Sequence, residues 1–167
     1  MKQTLLLFLS VFFLFQTSMA ASTFGSMAIG GGGFVTGIIP STTEKGLMYA
    51  RTDVGGAYRR DSLNDKWIPL LDWVSTSQTG YMGVEAIALD PNNSDNVFML
   101  VGTSYFNSGT TAILRSFDRG NTFAISNVTS QFTAHGNGMG RQTGEKLIVD
   151  PNLGTILLLW NPIQGFV

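Results

Sequence analysis

Apolar positions in this chain fall in short β-rich runs, each closed by glycine, proline, asparagine or aspartate. The runs predict strands at Gly33–Ile39, Gly46–Thr52, Gly56–Arg60, Trp67–Asp72, Val84–Leu89, Asn96–Thr103, Ala112–Phe117, Thr122–Ser126, Lys146–Val149 and Thr155–Leu159. Helical periodicity is poor after residue 21, because the 20 glycines interrupt nearly every window. Short strands at tight spacing predict an all-β protein of antiparallel hairpins, and leave sandwich, barrel and propeller open. One longer apolar run stands apart. Lys2, the stretch Leu5–Phe15 and the small residues of Ser18-Met19-Ala20 have the three-part layout of a secretory signal peptide over residues 1–20. The run is too short for a stable membrane anchor. The mature chain would start near Ala21 and be secreted, with no membrane association after cleavage.

An internal repeat decides among the architectures. Ile87-Ala88-Leu89-Asp90-Pro91-Asn92, a turn and the strand Asn96–Val101 recur as Leu147-Ile148-Val149-Asp150-Pro151-Asn152 followed by Thr155–Leu159. Gly37–Pro40 followed by Gly46–Ala50 is a weaker copy. Ser116-Phe117-Asp118-Arg119-Gly120-Asn121-Thr122-Phe123 fits the Asp-box pattern Ser-x-Asp-x-Gly-x-Thr-aromatic, and Arg51–Tyr58 reads as a degenerate copy. In such a box the aspartate accepts bonds from nearby amides and the glycine takes a positive φ. A unit of roughly 50–65 residues with about four strands has the size of a propeller blade. The expectation is an incomplete β-propeller, residues 21–167, of two to three four-stranded blades with Asp-box repeats. Blade 1 spans about 30–75, blade 2 about 80–128, and a partial blade 3 starts at about 145. So few blades cannot close a ring, which predicts open sheet edges, poor solubility and marginal stability.

Charge and composition narrow the chemistry. The formal net charge is -1, which gives no electrostatic footprint for nucleic acid or an anionic membrane and permits a neutral partner such as a polysaccharide. With no cysteine and a single histidine, His135, neither thiolate nor Ser-His-Asp chemistry nor a metal cluster is expected, and no cofactor is called for. Acid–base work falls to the 11 carboxylates. Gly30–Gly33 lacks the helix and the Lys or Ser/Thr of a phosphate loop. The sequons Asn92-Asn93-Ser94 and Asn127-Val128-Thr129 are compatible with export.

Several longer motifs carry a resemblance. Ile29–Ile39 (Ile-Gly-Gly-Gly-Gly-Phe-Val-Thr-Gly-Ile-Ile), Tyr49–Arg59, Trp67–Val74, Tyr81–Pro91 and Ile113–Thr122 resemble, in unbroken order, the N-terminus of glycoside hydrolase family 74. The match covers about residues 28–152 and decays beyond Asn152. The family comprises xyloglucan-active endoglucanases and chain-end enzymes, with two seven-bladed propellers facing across a cleft and an inverting mechanism. The resemblance implies that Asp53, in Arg-Thr-Asp-Val-Gly-Gly, corresponds to the catalytic general base, and that the acid lies in a second propeller domain this chain lacks. Inversion suits that division, since the two carboxyl groups must stand about 6.5–9.5 Å apart with a water between. The substrate so implied is xyloglucan or a related β-glucan, and the chain alone is expected to be inactive.

Each candidate also has a structural reading. Asp53 stands at the box position of a turn-forming aspartate, although Arg51 replaces the small residue that box prefers. Arg51 is expected to orient Asp53 or to bind substrate. Tyr81, between glycines, and Tyr58 are candidate sugar-binding rings, whereas Trp67 and Trp73 read as core. Asp118, Asp90 and Asp150 read as turn formers. Glu85 is the second candidate for a functional carboxylate, and His135 reads as incidental. Two alternatives remain: a non-catalytic Asp-box propeller that binds carbohydrate, and a sialidase-type propeller built on the arginines.

Overall fold

The computed structural model describes residues 29–142 and 144–158. The signal-peptide expectation and the tail beyond Leu158 lie outside them. The described chain is all-β, with three short 3-10 segments, Thr76–Met82, Asn107–Gly109 and Met139–Gln142. No helix among the described residues is long and apolar enough to cross a membrane.

Each sheet is an antiparallel meander. The first holds β1 (Val35–Pro40), β2 (Met48–Thr52), β3 (Ala57–Asp61) and β4 (Lys66–Pro69). The second holds β5 (Val84–Leu89), β6 (Val97–Val101), β7 (Ala112–Ser116) and β8 (Ala124–Asn127). β9 (Leu147–Val149) and β10 (Ile156–Leu158) form a pair. The order follows from turn chemistry, because each strand stops at a residue that leaves the ladder. The repeated Asp-Pro-Asn motif closes two of these turns in the same way. Asn92 N donates to Asp90 Oδ1 at 2.8 Å, and Asn152 N to Asp150 Oδ1 at 2.7 Å.

The second sheet is covered on both faces, which explains why β6 reads as an unbroken apolar run, Val97-Phe98-Met99-Leu100-Val101. Val97, Met99 and Val101 pack with Ile87 and Leu114 against Tyr49 and Ala57 of the first sheet and Leu71 just beyond it. Phe98 and Leu100, on the opposite face, pack with Ala86 and Ala88 against Leu147 and Val149. Each large side chain so buried contributes about 1.5–3 kcal/mol. Both ends of the stack expose apolar side chains instead, with Ile38 on the first sheet 58% exposed, and Ile148 and Leu157 on the last pair 55% and 49% exposed.

β4 ends at Pro69, earlier than expected, and the chain turns inward to bury Leu70 and Leu71. That turn leaves Trp73 42% exposed, against the core expectation, with its ring 6.1 Å from Phe123. Trp67 is buried as expected.

The Asp118 turn joins β7 to β8. Thr122 Oγ1 donates to Asp118 Oδ2 at 2.6 Å; Thr122 N and the Ser116 hydroxyl donate to Oδ1 at 2.9 and 2.7 Å. These donors, Thr122 Oγ1 first, hold the carboxyl down at about 2 from an ordinary 3.8. A depressed carboxyl stabilises the fold where it is ionised, so this contribution is complete above about pH 4 and disappears as pH falls through about 2. Thermal melts from pH 6 to 2 are expected to fall more steeply below pH 4 for the native chain than for Asp118→Asn. Equal slopes would deny the turn this role.

The second box-like stretch is not a copy of this turn. Arg51–Tyr58 spans the β2–β3 connection, between the second and third strands of its sheet, whereas the Asp118 turn joins third to fourth. In a meander these lie at opposite ends. The true counterpart of the Asp118 turn is β3–β4, where Asp61 Oδ1 accepts from Leu63 N and Asn64 N.

Candidate active site

The β2–β3 turn closes without the Asp53 carboxylate. Thr52 N donates to Gly56 O at 3.0 Å, and Thr52 Oγ1 both accepts from Gly55 N and donates to Gly56 O, each at 2.8 Å. Gly56, at φ 80°, takes the left-handed position. Asp53 Oδ1 instead accepts from Phe34 N at 2.7 Å, 19 residues away on the lead into β1. Among the described residues none donates a hydrogen bond to Oδ2, which faces Arg141 Nε at 3.9 Å. The Asp53 side chain is 12% exposed.

The neighbouring sheet supplies an internal control. Thr52 pairs with Val35 and Val101 with Val84, and both ladders then shift register, between Val35 and Gly37 and between Val84 and Ala86. One residue on, Asp53 N donates to Phe34 O at 3.1 Å and Gly102 N to Gly83 O at 2.9 Å. Gly102 is therefore the structural counterpart of Asp53. The same backbone path is built there with no side chain, so the fold does not require a carboxylate at this position.

Glycines 31–33 pack against this turn, which explains a run that carries no phosphate signature. A Cβ on Gly31 would stand 1.9 Å from Tyr58 Oη, and one on Gly55 1.8 Å from Gly32 O. Tyr58 lies beneath, 5% exposed, and its hydroxyl donates to Gly55 O at 2.9 Å. Burial, and then the Asp72 charge, push the Tyr58 hydroxyl above its usual range. Tyr58 thus braces the loop that carries Asp53, and its ring is covered where a sugar-binding face was expected.

Two other sequence candidates also have internal roles. Arg51 is 1% exposed, with Nε donating to Glu145 Oε1 at 2.6 Å and Nη1 to Thr36 Oγ1 at 2.7 Å. Its remaining bonds go to the Arg141 and Gly144 carbonyls at 3.0 and 3.2 Å. It holds Arg141, Gly144 and Glu145 against the first sheet and makes no bond to Asp53. Tyr81, one residue before the end of the 3-10 segment, is 5% exposed, within the core between the first two sheets. Its flanking glycines suggested a loop, but the backbone there folds inward. Glu85 is also tied up, accepting from Lys146 Nζ and, at 3.3 Å, from His135 N.

The residues that do surround Asp53 were not singled out as its neighbours from sequence. Arg141 arrives from the 3-10 segment Met139–Gln142, with Nη1 bonded to Gly138 O at 3.0 Å and its Nε buried without a hydrogen-bond partner. Its guanidinium lies 6.0 Å from the centroid of Phe34, a ring 52% exposed. Together these residues form a carboxylate with one fixed oxygen, one oxygen facing a cation, and an exposed aromatic beside it.

No protein-family model matches the chain. A curated xyloglucanase from a Paenibacillus species is 51% identical over 130 residues, 76% of this chain. An oligoxyloglucan-reducing end-specific xyloglucanase of Emericella nidulans is 44% identical over 128 residues, 77% of this chain. The chain spans 12% and 15% of those relatives' own lengths. Among solved structures, the Niastella koreensis GH74 enzyme superposes with a TM-score of 0.73 at 55% identity, covering 86% of this chain and 24% of that one. The GH74 xyloglucanase from Xanthomonas campestris gives 0.70 at 46% identity, covering 78% and 18%. By sequence and by fold, the chain belongs to glycoside hydrolase family 74.

Proposed function

We propose that this chain supplies the general-base half of an inverting xyloglucan hydrolase site, with Asp53 as the base. The observation that carries the reading is the carboxylate itself, which is not used to close its own turn and occupies a position where the next sheet has Gly102. Asp53 Oδ1 is fixed by Phe34 N, so Oδ2 is the oxygen left to take a proton from a water attacking the anomeric carbon. Arg141 provides a counter-charge beside it and Phe34 an apolar surface. The protonated acid that completes inversion would come from a second propeller, in the part of the relatives this chain does not span.

The three sheets are read as successive propeller blades at about 30–75, about 80–128 and from about 145. The exposed apolar side chains at both ends of the stack support further blades covering those faces. A secreted protein degrading a plant-type β-glucan fits the near-neutral charge.

Two measurements test the reading. The chain by itself is expected to release no reducing ends from xyloglucan, since half of the carboxylate pair is missing. A chimera carrying residues 29–152 in place of the matched stretch of the Paenibacillus xyloglucanase is expected to hydrolyse the polymer. A well-folded chimera that binds xyloglucan without cleaving it would instead favour the non-catalytic binding module.

A further inference from the structure

The aromatic rings expected to hold sugar, Tyr58 and Tyr81, are buried, so a glucan chain lying past Asp53 must find its platform elsewhere. The connection between β6 and β7, residues 102–111, is the counterpart of the Asp53 turn and is much longer. The two are adjacent. A Cβ on Gly83 would lie 3.1 Å from Asp53 O on one side and 2.2 Å from Thr103 Oγ1 on the other. Two residues beyond Thr103 the chain presents Tyr105 and Phe106, 56% and 45% exposed.

These rings are held in place. Their centroids are 4.8 Å apart in an edge-on arrangement, and His135 packs edge-on to Tyr105 at 5.1 Å. Asn137 Nδ2 donates to Tyr105 Oη at 2.5 Å, and Ser104 N to His135 Nδ1 at 3.3 Å. Phe106 N donates to Thr103 O and Gly109 N to Phe106 O, closing a tight turn whose Ser108 and Gly109 have φ of 56° and 71°. His135, incidental in the sequence reading, is thus part of the support.

Residues 102–111 contain no charged side chain, and residues 130–140 none apart from His135. The surface these segments offer is neutral, made of rings, amides and hydroxyls with the thioether of Met139. That composition matches a pyranose, whose axial C–H faces are apolar and whose rim bears hydroxyls. Two exposed rings braced by His135, Asn137 and their own turn lose little conformational freedom when a ligand covers them.

We propose that Tyr105 and Phe106, supported by His135 and Asn137, form a stacking subsite for a backbone glucose of a neutral β-glucan, next to Asp53 on the same rim. This deepens the hydrolase reading and rests on it for the identity of the ligand. It does not depend on Asp53 being the base.

Affinity electrophoresis of the chain in native gels containing soluble xyloglucan tests the subsite. The wild-type chain is expected to be retarded. Tyr105→Ala and Phe106→Ala are each expected to raise the apparent Kd about tenfold, the scale of one lost aromatic contact. Tyr105→Phe, which keeps the ring, should bind within about twofold of wild type. If Tyr105→Ala proves poorly folded by circular dichroism, Tyr105→Leu replaces it, keeping apolar bulk without a flat face. Absence of retardation in the wild type, or wild-type retardation in the folded Tyr105 and Phe106 variants, overturns the subsite. An active Asp53→Asn chimera combined with lost retardation in Tyr105→Ala would remove the base assignment and leave the subsite standing.

Discussion

In the active chimera, Asp53→Asn is expected to lower xyloglucan hydrolysis by about 10²–10⁴-fold, the usual contribution of a positioned general base. The substitution changes little else. Asparagine keeps an oxygen to accept from Phe34 N, and the turn is closed by Thr52 whether or not residue 53 is charged. Melting and xyloglucan binding should therefore stay near wild type while turnover collapses. Asp118→Asn is the matched control, since that carboxylate is consumed by its own turn, and its chimera should lose stability at most and keep its rate per folded molecule. Azide adds a chemical test. In Asp53→Ala it can attack the anomeric carbon without a base to deprotonate it, as the partner acid protonates the leaving oxygen. The product would be the α-glycosyl azide, with inversion from the β-linked substrate. An Asp53→Asn chimera within threefold of its parent would show that the water is activated by another group.

Local features were legible in the chain, and their global placement was not. The strand run Val84–Leu89 stands as read, and the Asp-Pro-Asn repeats close equivalent turns, because both are encoded within a few residues. The box-like Arg51–Tyr58 misled for the same reason. Ser-x-Asp-x-Gly resemblance is local, whereas the end of the sheet on which a turn falls is set by strand order. Arg51 looked like a partner for Asp53 because they are two residues apart, yet in an extended strand such neighbours diverge once the turn begins. Apart from Thr36, its partners lie 90 to 94 residues downstream, a separation no pattern of spacing reveals. Arg141 reaches Asp53 by the same long-range packing. Tyr81 had the glycine neighbours of a loop, but its burial depends on where the second sheet lies.

Arg51→Ala is expected to destabilise the chain by about 1–3 kcal/mol, the cost of leaving buried acceptors without their donor, since the cation is buried while Glu145 stays 29% exposed and can be hydrated. That is a large fraction of the roughly 5–15 kcal/mol available to a domain. Arg51 is 1% exposed and donates to four acceptors, on Thr36, Arg141, Gly144 and Glu145; without it, among the described residues, Glu145 keeps Ile87 N, at 2.7 Å, as a donor to Oε2. The site has no slack, since a Cβ on Gly37 would meet Arg51 Nε and Glu145 Oε1 both at 2.9 Å. Urea titration followed by tryptophan fluorescence at low protein concentration reads the loss. Glu145→Gln, which keeps one acceptor oxygen for Arg51 Nε at the expense of the bond from Ile87 N, should cost less than Arg51→Ala. Replacing both with leucine should recover part of the deficit, because neither charge then remains unpaired. The same link also reaches the candidate base, because Arg51 binds the Arg141 carbonyl and Arg141 faces Asp53. In the chimera Arg51→Ala should thus reduce turnover in molecules that remain folded, through Arg141 rather than by contact with substrate. A cost below about 1 kcal/mol, the level of an exposed pair, would mean that Arg141, Gly144 and Glu145 do not stay docked on the first sheet in solution.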